Sequence, residues 1–242
     1  VKLKDLLAYA GAKANSKEVS FNGLDVPPLP TVPDFVKSLN YDHANDGEVM
    51  VAYAMNGEPL PLLNGFPLKL VVPGWFATYW VGMLNDIQVL SEPFEGFWMK
   101  KAYQVPKGVP NGNEKPDSLA TNTEPINVMN VRSLFVAPEP GGIIKTGQPT
   151  DVQGLAFDGG FGITKVELSV DSGKTWQQAK LDPDLGKYSW RRWHYNFTPS
   201  QKGNYLLQVK ATNSKGQTQP MHQWNRSGYM HNEIEVLPLK AE

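Results

Sequence analysis

The residues best suited to chemistry in this sequence are concentrated in two stretches. The first is LPLLNGFPLKLVVPGWFATYWVGML, in which Asn64, Lys69 and Trp80 interrupt an otherwise apolar run. The second is QPMHQWNRSGYMHNEIEV, which places Arg226 and His231 in one loop before the last predicted strand. Amide, cationic and aromatic side chains bind ligands through hydrogen bonds and charge. Both stretches therefore predict binding sites rather than plain core.

Familiar catalytic motifs are missing from the sequence. No G-x-S-x-G nucleophile elbow and no glycine-rich nucleotide loop is present. No pair of carboxylates stands out as a glycosidase pair. The histidines are far apart without metal-type spacing, which predicts surface or hydrogen-bonded roles for His43, His194, His222 and His231. The residues alone predict two domains and name no reaction.

The composition excludes several classes of protein. The chain has 242 residues, a net charge of −1 and 40% hydrophobic residues, enough for two domains of ordinary size. The near-zero charge argues against non-specific nucleic-acid binding, which needs a basic face. No apolar run approaches the length of a transmembrane helix. Because the chain has no cysteine, disulfides, iron–sulfur ligation and thiolate metal sites are excluded within it.

A helix, short strands and structured loops are expected to position the first stretch, in a domain placed at residues 1–126. Residues 1–10 put their apolar side chains on one helical face, before Gly11 as a C-terminal cap. DFVKSLNYD predicts a short helix capped by Asp34. Residues 104–125 are polar and rich in breakers, which predicts a long surface segment leading to the domain boundary.

The second half, residues 127–242, has the pattern of short antiparallel strands. Apolar residues alternate at Val166 and Leu168 and again at Leu207 and Val209, and DSGKTW and NSKGQT are hairpin-type turns. Six or seven such strands predict an immunoglobulin-like β-sandwich. The expected fold is a mixed α+β domain followed by an all-β sandwich.

Seven longer motifs, taken in order, are similar to the sulfite oxidase family of molybdenum enzymes. They are LKDLLAYAGAK, FNGLD, VMVAYAMNGEPLPLLNGFPLKLVVPGW, FEGFWMKKAY, DSGKTWQQAKL, YSWRRW and ATNSKGQTQPMHQWN. They are spread over nearly the whole chain. YWV and FEGFWMKKAY resemble the bacterial sulfite dehydrogenases that pass electrons to cytochrome c.

The resemblance implies that the first domain is the C-terminal part of a molybdopterin-binding domain and that the second forms a homodimer. It implies cofactor contacts for Asp25, Asn64, Lys69, Trp80, Val81 and Gly82. Asn64 and Lys69 stand where the family has histidine and arginine, and Gly82 stands where animal oxidases have lysine. The family's metal ligand is a cysteine thiolate, so no metal ligand is predicted here. The chain is therefore expected to be part of a longer enzyme.

The resemblance also implies a reaction, the oxidation of sulfite to sulfate by oxygen-atom transfer. Tyr103 matches the family's active-site tyrosine, whose phenol can hydrogen-bond sulfite. Arg226 is the nearest match to a substrate-binding arginine, and His231 stands where the bacterial members have one. Arg191 and Arg192 are weaker candidates. No haem motif occurs in the chain, so a separate c-type cytochrome is the expected electron acceptor, and the resemblance suggests export to the periplasm.

Two other functions are compatible with the same residues. The missing cysteine favours a non-catalytic binding or dimerisation protein that reuses the fold. A related molybdenum enzyme acting on nitrate or on a sulfane-sulfur carrier is the other alternative. No membrane or nucleic-acid partner is expected.

Overall fold

The computed structural model describes residues 1–109 and 113–242. The chain divides into two compact units. The first comprises Val1–Lys107 and Ala120–Asn127, and the second comprises Gly108–Leu119 and Val128–Glu242. Within the described ranges, no helix combines the length and apolar character needed to cross a bilayer.

Short strands dominate the first unit. Its helices are α1 (Leu3–Tyr9), α2 (Tyr41–Ala44) and α3 (Phe97–Lys100), and 3₁₀ turns lie at Leu62–Asn64 and Ala77–Tyr79. Its strands are β1 (Glu18–Gly23), β2 (Lys37–Asn40), β3 (Met50–Ala52), β4 (Ala54–Met55), β5 (Glu58–Pro59), β6 (Lys69–Val71), β7 (Leu84–Leu90), β8 (Gln104–Pro106) and β9 (Thr123–Pro125).

An antiparallel sheet with strand order β2-β1-β7 organises this unit. The central strand β1 buries Val19 and Phe21. The helix expected near the start of the chain is confirmed as α1, which buries Leu3 and Leu7 four residues apart on one face. The pair β3–β6 brings Lys69–Val71, in the middle of the first predicted binding stretch, beside residues 50–52.

The predicted helix at DFVKSLNYD is wrong. Residues 37–40 form strand β2, which pairs with β1 from Phe21↔Lys37 to Glu18↔Asn40. Pairing with β1 buries Lys37, Ser38 and Leu39 together, so the sheet overrides the local helix signal. The Asp34 carboxylate caps no helix, and instead accepts hydrogen bonds from the Phe35 backbone N–H and the Asn22 amide.

The segment 104–125 is more ordered than its composition suggests. Strands β8 and β9 at its two ends pair antiparallel, from Gln104↔Pro125 to Pro106↔Thr123. The part of this prediction that falls on residues 110–112 lies outside the described residues.

The second unit is a two-layered β structure. Its strands are β10 (Arg132–Ala137), β11 (Gly142–Ile144), β12 (Thr150–Phe157), β13 (Ile163–Ser169), β14 (Gln177–Gln178), β15 (Lys180–Leu181), β16 (Arg191–Phe197), β17 (Gly203–Asn213) and β18 (Glu235–Ala241). They form one sheet in the order β10-β12-β16-β15 and another in the order β11-β18-β17-β13-β14.

The two sheets share one hydrophobic core. Val166 and Leu168 of β13 and Leu207 and Val209 of β17 are fully buried, and they share the core with Trp193 of the other sheet. The alternating residues in the sequence are therefore the inward-facing ones. The predicted fold class, a mixed domain followed by a β-rich sandwich, is confirmed.

Candidate functional site

Three glycines of the first unit meet where the end of β1, the 3₁₀ turn before β6 and the segment before β7 come together. A Cβ atom on Gly65 would lie 2.8 Å from the Gly82 Cα, and one on Gly23 would lie 2.6 Å from the Gly82 carbonyl oxygen. Backbone hydrogen bonds join the same segments, since the Met83 N–H donates to the Gly65 carbonyl and the Leu24 N–H donates to the Met83 carbonyl. We call Gly23, Gly65 and Gly82 the glycine cluster.

Three of the predicted cofactor-binding side chains belong to the segments that form the glycine cluster. The Asp25 carboxylate lies beside Gly23, Asn64 precedes Gly65, and the Lys69 stem lies 3.5 Å from the Cβ position of Gly65. Asp25 is exposed, and Asn64 and Lys69 are half-buried. In the part of the chain that the structure describes, the Asp25 carboxylate and the Lys69 ammonium have no hydrogen bond or ion pair to a protein group. These polar groups are therefore available to a ligand.

Trp80 and Val81 play a different part in the same region. The Trp80 indole N–H donates to the Val72 carbonyl at 2.8 Å, so the indole donor is already used. Its ring faces the Lys69 ammonium, 5.9 Å from the ring centroid. Val81 is buried and its carbonyl accepts from the Leu70 N–H, which fixes the segment that carries Gly82. Trp80 and Val81 therefore support the backbone beside Lys69 and Gly82, and their predicted contacts with the cofactor stay predictions.

These residues fit an anionic cofactor rich in hydrogen-bonding groups. The absence of side chains at the glycine cluster lets the three segments pack closely and so brings the polar residues beside them together. A carboxylate such as Asp25 accepts hydrogen bonds from a pterin N–H edge, and an ammonium such as Lys69 pairs with a phosphate. These groups fit the molybdopterin that the family resemblance implies for this region.

Tyr103 follows α3 and lies in an aromatic cluster of the first unit. Its ring centroid is 6.0 Å from that of Trp98 and 6.3 Å from that of Phe35. Its backbone has a φ of 54°, a left-handed conformation that non-glycine residues rarely adopt. The Tyr103 carbonyl accepts from the Ile126 N–H at 2.8 Å, which ties residue 103 to the end of β9.

A buried lysine that sequence reasoning missed lies against this tyrosine. Lys37 is fully buried, and its Nζ lies 4.5 Å from the ring centroid of Tyr79 and 5.0 Å from that of Tyr103. Burial lowers the pKa of Lys37 to about 8. Burial and the negative charge of Glu18 raise the pKa of Tyr79. The only signal in the sequence was a lone lysine in the apolar run FVKSL.

A cavity of about 450 Å³ opens on the first unit beside Tyr79. Its lining mixes aromatic and charged side chains, including Trp75, Lys100, Lys107 and Glu124. Its volume is in the range of small-molecule sites. Lysines and glutamates both face it, so its charge favours no single class of ligand.

In the second unit, Arg226 is held by a buried carboxylate. Its guanidinium donates to both carboxylate oxygens of Glu114 through Nε, at 3.2 Å each, and to Glu114 again through a terminal nitrogen. The Glu114 side chain is 1% exposed, whereas that of Arg226 is 42% exposed. One edge of the guanidinium is therefore committed to Glu114, while the side chain still reaches solvent.

The loop that carries Arg226 and His231 is braced from inside. The Gln223 amide oxygen accepts from the Asn232 N–H, and its amide nitrogen donates to the Met230 carbonyl. The Asn225 amide donates to the Tyr229 carbonyl. Such a network fixes the loop without apolar core.

The other predicted residues of the second unit have these partners. His231 is exposed, with its Nε2 3.6 Å from a Glu233 carboxylate oxygen. Arg191 donates to the Asp182 carbonyl and pairs with Asp184. The predicted roles of Tyr103, Arg226 and His231 in binding substrate stay predictions.

Among the described residues, no group of three or more histidine, aspartate or glutamate side chains is arranged to hold a metal ion.

Comparison with protein families matches both halves of the chain. Residues 1–98 match the oxidoreductase molybdopterin binding domain, and residues 123–235 match the Mo-co oxidoreductase dimerisation domain. The glycine cluster and the three polar residues beside it all lie within the first match.

Individual relatives cover the same range. Mitochondrial sulfite oxidase of Mus musculus is 31% identical over 98% of this chain and 46% of its own length, and that of Homo sapiens is 32% identical over 96% and 44%. The crystal structure of the sulfane dehydrogenase SoxCD from Paracoccus pantotrophus superposes with a TM-score of 0.83 at 27% identity, over 99% of this chain and 59% of that chain. The chain thus spans about half the length of the curated relatives it matches.

Proposed function

We propose that this chain, which belongs to the sulfite oxidase family of molybdenum oxidoreductases, forms part of an enzyme that oxidises sulfite to sulfate. The observation that carries the proposal is the arrangement of Asp25, Asn64 and Lys69 around the glycine cluster. These residues would hold the molybdopterin, with Lys69 toward phosphate and Asp25 toward the pterin N–H edge.

When bound, the cofactor supplies the oxygen atom and accepts two electrons, while the protein binds and orients sulfite. The 242 residues contain no cysteine, so a thiolate ligand to molybdenum would come from residues outside this sequence. The Tyr103 phenol would donate a hydrogen bond to a sulfite oxygen, and Arg226 and His231 are the proposed cations that attract the anion.

The electrons would pass to a c-type cytochrome, and the second unit would form a homodimer in keeping with the dimerisation-domain match. Periplasmic location is part of the same proposal. The test is to purify the complete enzyme that contains this chain from a host that makes molybdopterin, and to assay it for molybdenum by mass spectrometry and for sulfite-dependent reduction of cytochrome c. Absence of both metal and activity would count against the enzyme and for a binding or dimerisation protein on this fold.

Sulfane-sulfur oxidation is the second candidate, favoured by the structural similarity to the sulfane dehydrogenase over almost the whole chain. The same assay separates the two. Turnover of a protein-bound persulfide with no turnover of sulfite would assign the second reaction.

The substitution Tyr103→Phe is expected to lower kcat for sulfite by about 10- to 100-fold, because it removes one hydrogen bond to charge that develops during oxygen transfer. Molybdenum content should stay that of the wild type, since the ring and its packing remain. Steady-state kinetics and metal analysis measure the two quantities. Unchanged kinetics would remove Tyr103 from the site.

The substitution Arg226→Gln is expected to have two effects. It should raise the sulfite KM about tenfold by removing a charged hydrogen-bond donor. It should also lower the free energy of unfolding, because the buried Glu114 carboxylate loses its hydrogen bonds from the guanidinium. The double variant Arg226→Gln with Glu114→Gln should regain the stability and keep the raised KM. A KM that returns to normal in the double variant would show that Arg226 acts only through the fold.

A further inference from the structure

Lys37 is a buried lysine without a counter-ion among the described residues, which a purely structural role does not require. Its side chain is fully excluded from solvent, in the edge strand β2. Its ammonium donates one hydrogen bond, to the Trp98 carbonyl at 2.9 Å. Within residues 1–109 and 113–242, no carboxylate lies at ion-pair distance from it. Burying an ammonium without a counter-ion costs free energy that an apolar side chain of the same length would not.

The surroundings of the ammonium are aromatic rings. Nζ lies 4.5 Å from the ring centroid of Tyr79 and 5.0 Å from that of Tyr103. Both distances are within the range of cation–π attraction, which is strongest where water is excluded. The ammonium therefore interacts with two tyrosine rings at once.

The rest of the cluster holds the backbone around Tyr103. The Tyr79 hydroxyl donates to the Ile126 carbonyl at 2.6 Å, and the Ile126 N–H donates to the Tyr103 carbonyl at 2.8 Å. The Gln104 amide donates to the Met99 carbonyl at 2.8 Å and bridges the end of α3. Ile126 thus links the two tyrosines whose rings contact the Lys37 ammonium: it accepts a hydrogen bond from the Tyr79 hydroxyl and donates one to the Tyr103 backbone.

The strain at Tyr103 shows why such anchoring is needed. Its left-handed backbone conformation is unfavourable for a residue with a Cβ and persists only where neighbouring contacts impose it. Strained residues of this kind are concentrated at active sites, ligand clamps and switch regions. The hydrogen bond from the Ile126 N–H fixes the main chain of residue 103, and the contacts of its ring set the direction of the side chain.

We propose that Lys37 is a positioning residue for Tyr103: its ammonium, held by the Trp98 carbonyl and the Tyr79 ring, fixes the orientation of the Tyr103 ring and so the direction of the phenol. The role of this orientation in turnover rests on the proposed function of Tyr103, whereas the orientation itself does not. Lys37 touches no substrate in this scheme and acts through Tyr103.

The first test needs no substitution. In wild-type protein with labelled lysine and tyrosine, nuclear Overhauser effects are expected between the Lys37 side-chain protons and the ring protons of both Tyr79 and Tyr103. Tyr103→Phe assigns the Tyr103 signals. Absence of the Tyr103 contacts in the folded protein overturns the proposal whatever reaction the protein catalyses.

The second test removes the charge and keeps the length. Lys37→Met is expected to be at least as stable as the wild type, to shift the Tyr103 ring resonances, and to lower kcat for sulfite about tenfold with KM within about twofold. Lys210→Met is the matched control, because Lys210 lies 3.9 Å from the Trp176 ring centroid in the second unit, and it should change neither the Tyr103 resonances nor kcat. Unchanged Tyr103 resonances in Lys37→Met would overturn the proposal. If the wild type oxidises no sulfite, the proposed function fails while the resonance measurement still decides the role of Lys37.

Discussion

Replacing Gly65 with alanine is expected to lower the free energy of unfolding by about 3 kcal/mol and to abolish retention of pterin. Gly65 has a φ of 100°, where a side chain is strained, and the new methyl group would lie 2.8 Å from the Gly82 Cα. Because the obstacle is backbone, no side chain can turn away to relieve it. The segments that carry Asn64 and Gly82 must separate, which disrupts the arrangement of the proposed cofactor ligands.

Gly57→Ala is the matched control for this change. Gly57 also has a positive φ, of 86°, but a Cβ there would meet no atom within 4 Å. The control therefore carries the conformational strain alone, expected to cost about 1 kcal/mol. Chemical denaturation measures the stabilities, and fluorescence of the oxidised pterin measures cofactor content. Equal losses of stability in the two variants would contradict a close contact at the glycine cluster.

The stability of the wild-type protein is expected to rise by about 2 kcal/mol between about pH 8 and pH 10. The cause is Lys37, whose pKa falls from its ordinary value of 10.5 to about 8 on burial. Between these two values the unfolded chain holds the proton and the folded chain does not. Stability therefore increases with pH in this window, because raising the pH removes a charge that the fold keeps from water.

Tyr79 sets the upper limit of the window. Its pKa is raised in the folded state, so above about pH 10 the unfolded chain loses the tyrosine proton first and stability falls again. Denaturation at several pH values tests both slopes. Lys37→Met should lack the rise between pH 8 and 10 and keep the fall above it. A rise of the same size in that variant would assign the effect to another group.

The sandwich was predictable because its signal is local. Leu207 and Val209 alternate with half-buried polar residues in one strand, and burial follows that alternation residue by residue. Strand β2 was not predictable, because its signal is not local. Only four residues form it, and their extended conformation depends on pairing with β1, which lies some twenty residues earlier in the sequence.

The candidate site was predictable only in part, for the same reason. Asp25, Asn64 and Lys69 were identified through resemblance to long motifs, and their approach to one another depends on contacts among distant glycines. The pairing of Arg226 with Glu114 joins residues 112 positions apart, and nothing local in either segment marks it. Lys37 was missed because a lysine in a short apolar run looks like a solvated one until the rings around it are known.

The stretch Gly108–Leu119 belongs to the second unit although it lies between β8 and β9 of the first. The polypeptide therefore passes from one unit to the other three times. No single cut in the chain can yield both units whole, and a gene divided at residue 127 would leave Arg226 in one fragment and Glu114 in the other. Anyone who builds chimaeras from this protein must graft the stretch together with the sandwich or replace the buried carboxylate.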